Sequence, residues 1–314
     1  MPTLMEIATM SKTTSSLWQT IGAVVVAVSV AAGAAAQGRT EITINDADVS
    51  PENLTSSQDG TVYFGSTAKG TIYRASPGAP QAEPWIQAAT AGLTNVLGVL
   101  AHDASNTLWV CANSTGGRGG APVNGQTALR SFDLRTGAAK GTYPFPDGGL
   151  CNDIAIGPDG AAYASDTFAG RILRLRSGAT TLDVWAMHEL LGGVDGLSFL
   201  ADGALYANSY FSGALVRIPV NADGAAGNIV ALETSVPFRQ PDGLRTVGPR
   251  TLVQIEGQGR LTEITIDGTK ADVRVLQEGL TRGAGVTVIG DTALVLIERL
   301  KAVAVPYRPG AEGR

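Results

Sequence analysis

Charge is scarce in this chain. Asp, Glu, Lys and Arg make up 16% of 314 residues, against about a quarter in ordinary domains. No run of Lys or Arg occurs and the formal net charge is −5, so neither nucleic acid nor an anionic membrane is expected as a partner. Cysteine and histidine are limited to two residues each. Without CxxC, HExxH or any close Cys/His cluster, a structural zinc site is not expected. The chain also lacks a GxSxG elbow and a strand–GxGxxG–helix unit, which argues against a serine hydrolase and a dinucleotide enzyme. Collagen-like and coiled-coil folds fail for want of their periods. Disorder fails because 44% of the residues are hydrophobic.

Glycine, by contrast, is abundant, at 40 of 314 residues, which suggests many short strands joined by tight turns. One long apolar run exists, Ile21 to Ala36, 16 residues without charge. A membrane-spanning helix needs about 20. Lys12 lies upstream, and Ala34-Ala35-Ala36 has the form of a cleavage site. Residues 1–36 are therefore expected to be an export signal, with 37–314 a single periplasmic or secreted domain free of the membrane after cleavage. Cys111 and Cys151 are then either a disulfide or two small buried apolar side chains, and the sequence leaves both open.

Six segments repeat at an average step of about 46 residues, with leading residues Glu52, Asn95, Asn152, Asp195, Asp242 and Ala284. After each leading residue comes an apolar run and then a turn, marked by Asp59-Gly60, Asp159-Gly160 and Asp202-Gly203. A second strand carrying Tyr63, Tyr163 or Tyr206 follows, then a Gly-bearing loop, a third strand and a variable fourth. Four antiparallel strands at this period describe a propeller blade. The fold expected is all-β, a six-bladed β-propeller. Its last unit has only three strands of its own, so the run from Arg39 to Asn45 is expected to supply the fourth and close the ring.

The first strand of each blade lines the central channel, so the leading residues should converge there. Crowding carboxylates into a narrow channel is costly unless a cation offsets them. An all-oxygen donor set without sulfur suits a hard divalent ion, calcium in preference to magnesium. Five of the six leading residues carry such oxygens, and three of those are carboxylates.

These motifs resemble the senescence-marker-protein/gluconolactonase (regucalcin-like) family of calcium-dependent six-bladed propellers. The resemblance spans roughly residues 50 to 300 and rests on Pro51-Glu52-Asn53-Leu54, Asn152-Asp153, Val194-Asp195-Gly196-Leu197 and Pro241-Asp242-Gly243. It implies a divalent metal held by Glu52, Asn152, Asp195 and Asp242 and metal-dependent hydrolysis of a lactone or related ester by water, with Asp242 as first-choice base and Asp195 as second. Two departures matter. Asp195 replaces the family's Asn, and Leu150 stands where sugar-lactone members place an Arg, which puts a more apolar lactone or ester on an equal footing with gluconolactone.

Loops on the same rim offer candidate substrate contacts: Asn95, Asn113, Arg118, Phe168, His188, Tyr210, Phe211 and Glu256, with Glu298 and Arg299 beside them. His102, at the opposite end of its strand, reads as structural. A small-molecule substrate and a monomer or weak oligomer are expected. Two alternatives stand beside the lactonase: a non-catalytic ligand- or protein-binding propeller with structural calcium, and a phosphotriesterase or arylesterase.

Overall fold

The computed structural model describes residues 41–114 and 126–309; the expected export signal, Arg39 and Thr40 of the expected closing run, and Arg118 lie outside them. Strands dominate, and hydrogen bonding sorts them into five sheets. Four of these are single blades. The fifth has eight strands because Glu41–Ile44 pairs on both sides, antiparallel to Lys301–Pro306 and parallel to Gln81–Ile86. Among the described residues the strands therefore fall into sets of four around a propeller, with the two-residue strand Glu233–Thr234 added in parallel beside Lys270–Gln277. The segment before the first repeat completes the last set, as its sequence suggested, and leaves no open edge between the chain's two ends. Lys301 Nζ and Glu41 add an ion pair of 2.7 Å across that closure.

The first strands are Pro51–Ser56, Asn95–His102, Cys151–Ile156, Val194–Phe199, Pro241–Gly248 and Val286–Ile289. Five of them carry a register shift at the same place: Pro51/Leu54, Val96/Val99, Cys151/Ile154, Val194/Leu197 and Pro241/Leu244. At each shift two residues of the first strand face one of the second, which is a β-bulge. In the sixth blade Ala284 and Gly285 share Leu296 in the same way, through Ala284 N–H to Leu296 O and Leu296 N–H to Gly285 O.

A bulge frees backbone groups that burial forbids leaving unpaired. In blades 3 and 4 the residue opposite the bulge supplies the remedy and reaches the next blade. Asn208 accepts from Gly196 N–H and donates to the Asp242 carbonyl, both at 2.8 Å. Ser165 Oγ accepts from Asp153 N–H and donates to the Asp195 carbonyl, again both at 2.8 Å. Cys111 holds the same position in blade 2, and its link to the next blade is covalent: a disulfide to Cys151, with Cα atoms 5.1 Å apart. The question left open by the sequence is thus answered in favour of the bridge.

The residue just after the leading one lies where neighbouring first strands crowd together. A Cβ on Gly98 would stand 2.2 Å from the Asn152 carbonyl oxygen, and one on Gly196 2.5 Å from that of Asp242. Only Asn53 and Asp153 carry side chains at this position. Both meet Arg245, whose guanidinium makes two bonds to the Asp153 carboxylate (2.7 and 3.1 Å) and one to Asn53 Oδ1 (3.2 Å). Asp153, 1% exposed, also accepts from Leu197 N–H at 3.0 Å. Blades 1, 3 and 5 alternate round the ring, so their side chains can meet only near its axis. The expected Asn-Asp motif therefore divides its labour, with Asp153 spent on a buried ion pair.

Removing one partner of such a pair strands a buried charge, at a cost of about 3–5 kcal/mol. Asp153→Ala should lower the urea-unfolding free energy by about that much, while Asp153→Leu/Arg245→Met should recover a large part of the loss. Reduction of Cys111–Cys151 should cost about 2–4 kcal/mol, read as a lower melting temperature in reductant.

Candidate functional site

The shared bulge fixes which residues are equivalent. Five leading positions stand as the sequence placed them: Glu52, Asn152, Asp195, Asp242 and Ala284. In blade 2 the equivalent of Glu52 is Leu97, two residues beyond Asn95. This is a correction, and the signal for it was Leu97-Gly98, which matches Asp195-Gly196 and Asp242-Gly243. Asn95 instead pairs with Asn113 across the strands and donates Nδ2–H to the Thr67 carbonyl at 2.8 Å. The ring accordingly has an unbroken polar arc, Asn152–Asp195–Asp242, with Glu52 set between apolar Leu97 and Ala284.

A cleft of about 130 Å³, partly open to solvent, lies over this ring. It is lined by Glu52, Leu97, Asn152 and Asp195 on the floor side and by Leu150, Thr67, Thr167, Phe168, Tyr210, Phe211 and Arg299 around them. Phe168 and Phe211 are 60% and 67% exposed. Large apolar side chains left in water around a concavity mark a place where something binds. Tyr210 packs edge-on to Phe211 at 6.0 Å between ring centroids. Leu150 also faces the cleft, so the substitution noted in the sequence makes that wall apolar.

Asn152 Nδ2–H donates to Asp195 Oδ2 at 2.9 Å and to Thr167 Oγ1 at 3.0 Å. Thr167 is fixed in turn by donating to the Val194 carbonyl at 2.8 Å. The Asp195 carboxylate is thus held in a set orientation from the neighbouring blade. Asp242 is 3% exposed and is not among the cleft's lining residues. Of the two candidate bases, Asp195 is the one the cleft reaches.

The donor set on the floor is oxygen from carboxylates and an amide, which is the chemistry a hard divalent cation takes. Asn152 uses its nitrogen on Asp195, which leaves its Oδ1 as the atom with ligand character. Among the described residues, however, no three His, Cys, Asp or Glu side chains gather as a metal-holding group. The residues fit a cation held by carboxylate and amide oxygens together, not one gripped by three carboxylates.

Three expected substrate contacts have other work. Both amide atoms of Asn113, 2% exposed, are bound to the Cys151 backbone, each at 2.9 Å. Glu256, 1% exposed, forms a two-pronged ion pair with Arg260 (2.8 and 3.0 Å) and accepts from Arg239 N–H at 2.7 Å. His188 Nδ1 accepts from Leu190 N–H at 3.1 Å, capping the short helix Glu189–Leu191, and it lines a separate shallow groove. Its motif placed it on the rim, but its ring serves the linker. His102 Nδ1 lies 2.8 Å from Ser105 Oγ, in keeping with a structural part.

No protein-family model and no curated protein matches the chain. Solved structures do. A gluconolactonase from Xanthomonas campestris is 16% identical over 82% of this chain and 86% of that one, with a TM-score of 0.62. A structure described as a putative gluconolactonase is 16% identical over 87% and 95%, with a TM-score of 0.64. A catalytically inactive His-to-Ala form of virginiamycin B lyase from Staphylococcus aureus, with quinupristin, is 18% identical over 84% and 83%, with a TM-score of 0.61. At these identities the likeness is one of fold, the β-propeller.

Asn113→Ala leaves a buried N–H and a buried carbonyl unpaired, at about 1–3 kcal/mol. Calorimetric melting should show that loss, while ligand binding in the cleft per folded molecule stays as in the parent.

Proposed function

We propose that the protein is a hydrolase of a lactone or related ester, assisted by a divalent cation. The observation that carries this reading is the oriented Asn152–Asp195 pair on the floor of an aromatic-rimmed cleft. Glu52, Asn152 and Asp195, which line the cleft floor, are the residues that would hold the cation, and calcium is the ion their oxygens suit best. A bound cation supplies Lewis-acid polarisation of the substrate carbonyl. Asp195 accepts the proton of the attacking water, with Asn152 holding the carboxylate in line. Phe168, Tyr210, Phe211 and Leu150 take the apolar part of the acyl or alcohol group and keep bulk water from it.

The lyase likeness supports a different chemistry less well. That enzyme's inactive form lacks a histidine, whereas this chain's two histidines, His102 and His188, both stay outside the cleft lining. The failure of three carboxylates to gather favours one rival, a ligand-binding propeller without hydrolysis. Export and the calcium requirement belong to the same proposal: a disulfide between neighbouring blades is at home in an oxidising compartment.

A panel of lactones and aryl esters, assayed with calcium and with chelator, tests the reading. Turnover should require the cation, and Asp195→Asn should lower kcat by 100-fold or more, on the order of a lost general base, with the melting temperature nearly unchanged. Full turnover by Asp195→Asn removes the proposed base; no turnover of any substrate leaves the binding propeller.

A further inference from the structure

Outside blade 2, whose connection lies beyond the described residues, the turn between the second and third strands sits at the cleft end of its blade. In blades 1, 3, 4 and 5 a glycine takes its left-handed position: Gly70 (φ 64°), Gly170 (φ 61°), Gly213 (φ 74°) and Gly259 (φ 94°). Blade 6 departs from this. Leu300 N–H closes a tight turn on the Ile297 carbonyl at 3.1 Å, and its two central residues are Glu298 and Arg299, both at φ 54°. A turn with two positive φ angles is the type that Asn-Gly fills best. Two long side chains there oppose the backbone's own preference, by about 1–2 kcal/mol per residue. Strain retained against an easy alternative points to a use for the side chain.

Arg299 is one of the cleft's lining residues and the one cation among them. Among the described residues it takes part in no hydrogen bond or ion pair, unlike Arg171, Arg245 and Arg260, which are each bound to a buried carboxylate. Arg299 is half-buried, and its guanidinium keeps its donors for something that enters the cleft.

We propose that Arg299 is a substrate-binding residue that recognises a carboxylate, so that the preferred ligand has an apolar body against Phe168, Phe211 and Leu150 and an anionic group on the blade 6 side. This rests on the cleft's being the substrate site, as proposed above, and defines the substrate class as an anionic lactone or ester. A planar guanidinium pairs with a carboxylate through two parallel hydrogen bonds, which a neutral amide cannot match.

The test is equilibrium binding of phenylacetate against its neutral isostere phenylacetamide, by calorimetry in chelator so that no cation contributes. Full-length folded protein should prefer phenylacetate by about tenfold or more, as a charged hydrogen-bonded pair implies, and Arg299→Gln should lose that preference. Equal affinities for the two probes, or a preference unchanged in Arg299→Gln, overturns the proposal. Glu298→Asn/Arg299→Gly guards against a folding artefact. It should melt higher than the parent and also lose the preference; a lower melting temperature would show that Arg299 is kept for stability and would overturn the proposal. Binding is read without turnover, so a carboxylate preference that depends on Arg299 in a protein inactive on every ester upholds this site while the hydrolase reading falls.

Discussion

The ion pair on the propeller axis sets the terms for everything above it. Arg245, Asp153 and Asn53 come from three alternate blades and satisfy one another in a region with little water. Their meeting fixes how closely the first strands approach at the centre, and with that the spacing of the leading residues. The guanidinium suits this place because its donors form a rigid fork that reaches two blades at once. Without it the Asp153 carboxylate would be a buried charge with no counter-ion. The plug also leaves Asn152, next to Asp153 in the chain, free to serve the opposite side of the bulge. Neighbouring residues of one strand thus divide between holding the ring together and building the cleft.

The bulge is the device that makes this division possible. By setting two first-strand residues against one partner, it allows both members of Asn152-Asp153 to leave the plain alternation of a strand. In blades 3 and 4 the backbone groups it exposes are taken up by Ser165 and Asn208, which in doing so tie blade 3 to blade 4 and blade 4 to blade 5. Bonding between blades and display of the leading side chains are one arrangement. A substitution opposite a bulge therefore acts on the site through the backbone that carries it.

Much of the architecture was legible because a propeller repeats its grammar. Apolar first strands, Asp-Gly turns and the recurring tyrosines set the unit length, and the missing strand of the last unit identified Glu41–Ile44 as its completion. Five of the six leading residues were readable for the same reason. Blade 2 was misread because Asn95 looks like the polar leaders elsewhere, although the bulge, a feature of hydrogen bonding and not of residue type, puts Leu97 in that place. Asn113 and Glu256 were misassigned on similar grounds. A polar residue at a strand end near the rim can face solvent or a neighbouring backbone, and only the three-dimensional neighbour decides. The pairing of Arg245 with Asp153 joins residues 92 apart, and nothing local announces it. Arg299 was visible as a rim residue, but the backbone conformation that sets it apart was not.

Cys111 and Cys151 are 40 residues apart in sequence, and the outer strands of blade 2 lie wholly between them. Any single peptide bond cut within that stretch would leave the two fragments covalently joined, each still embedded in the ring. The blade most interrupted by a long glycine-bearing connection is thus also the one a protease cannot detach.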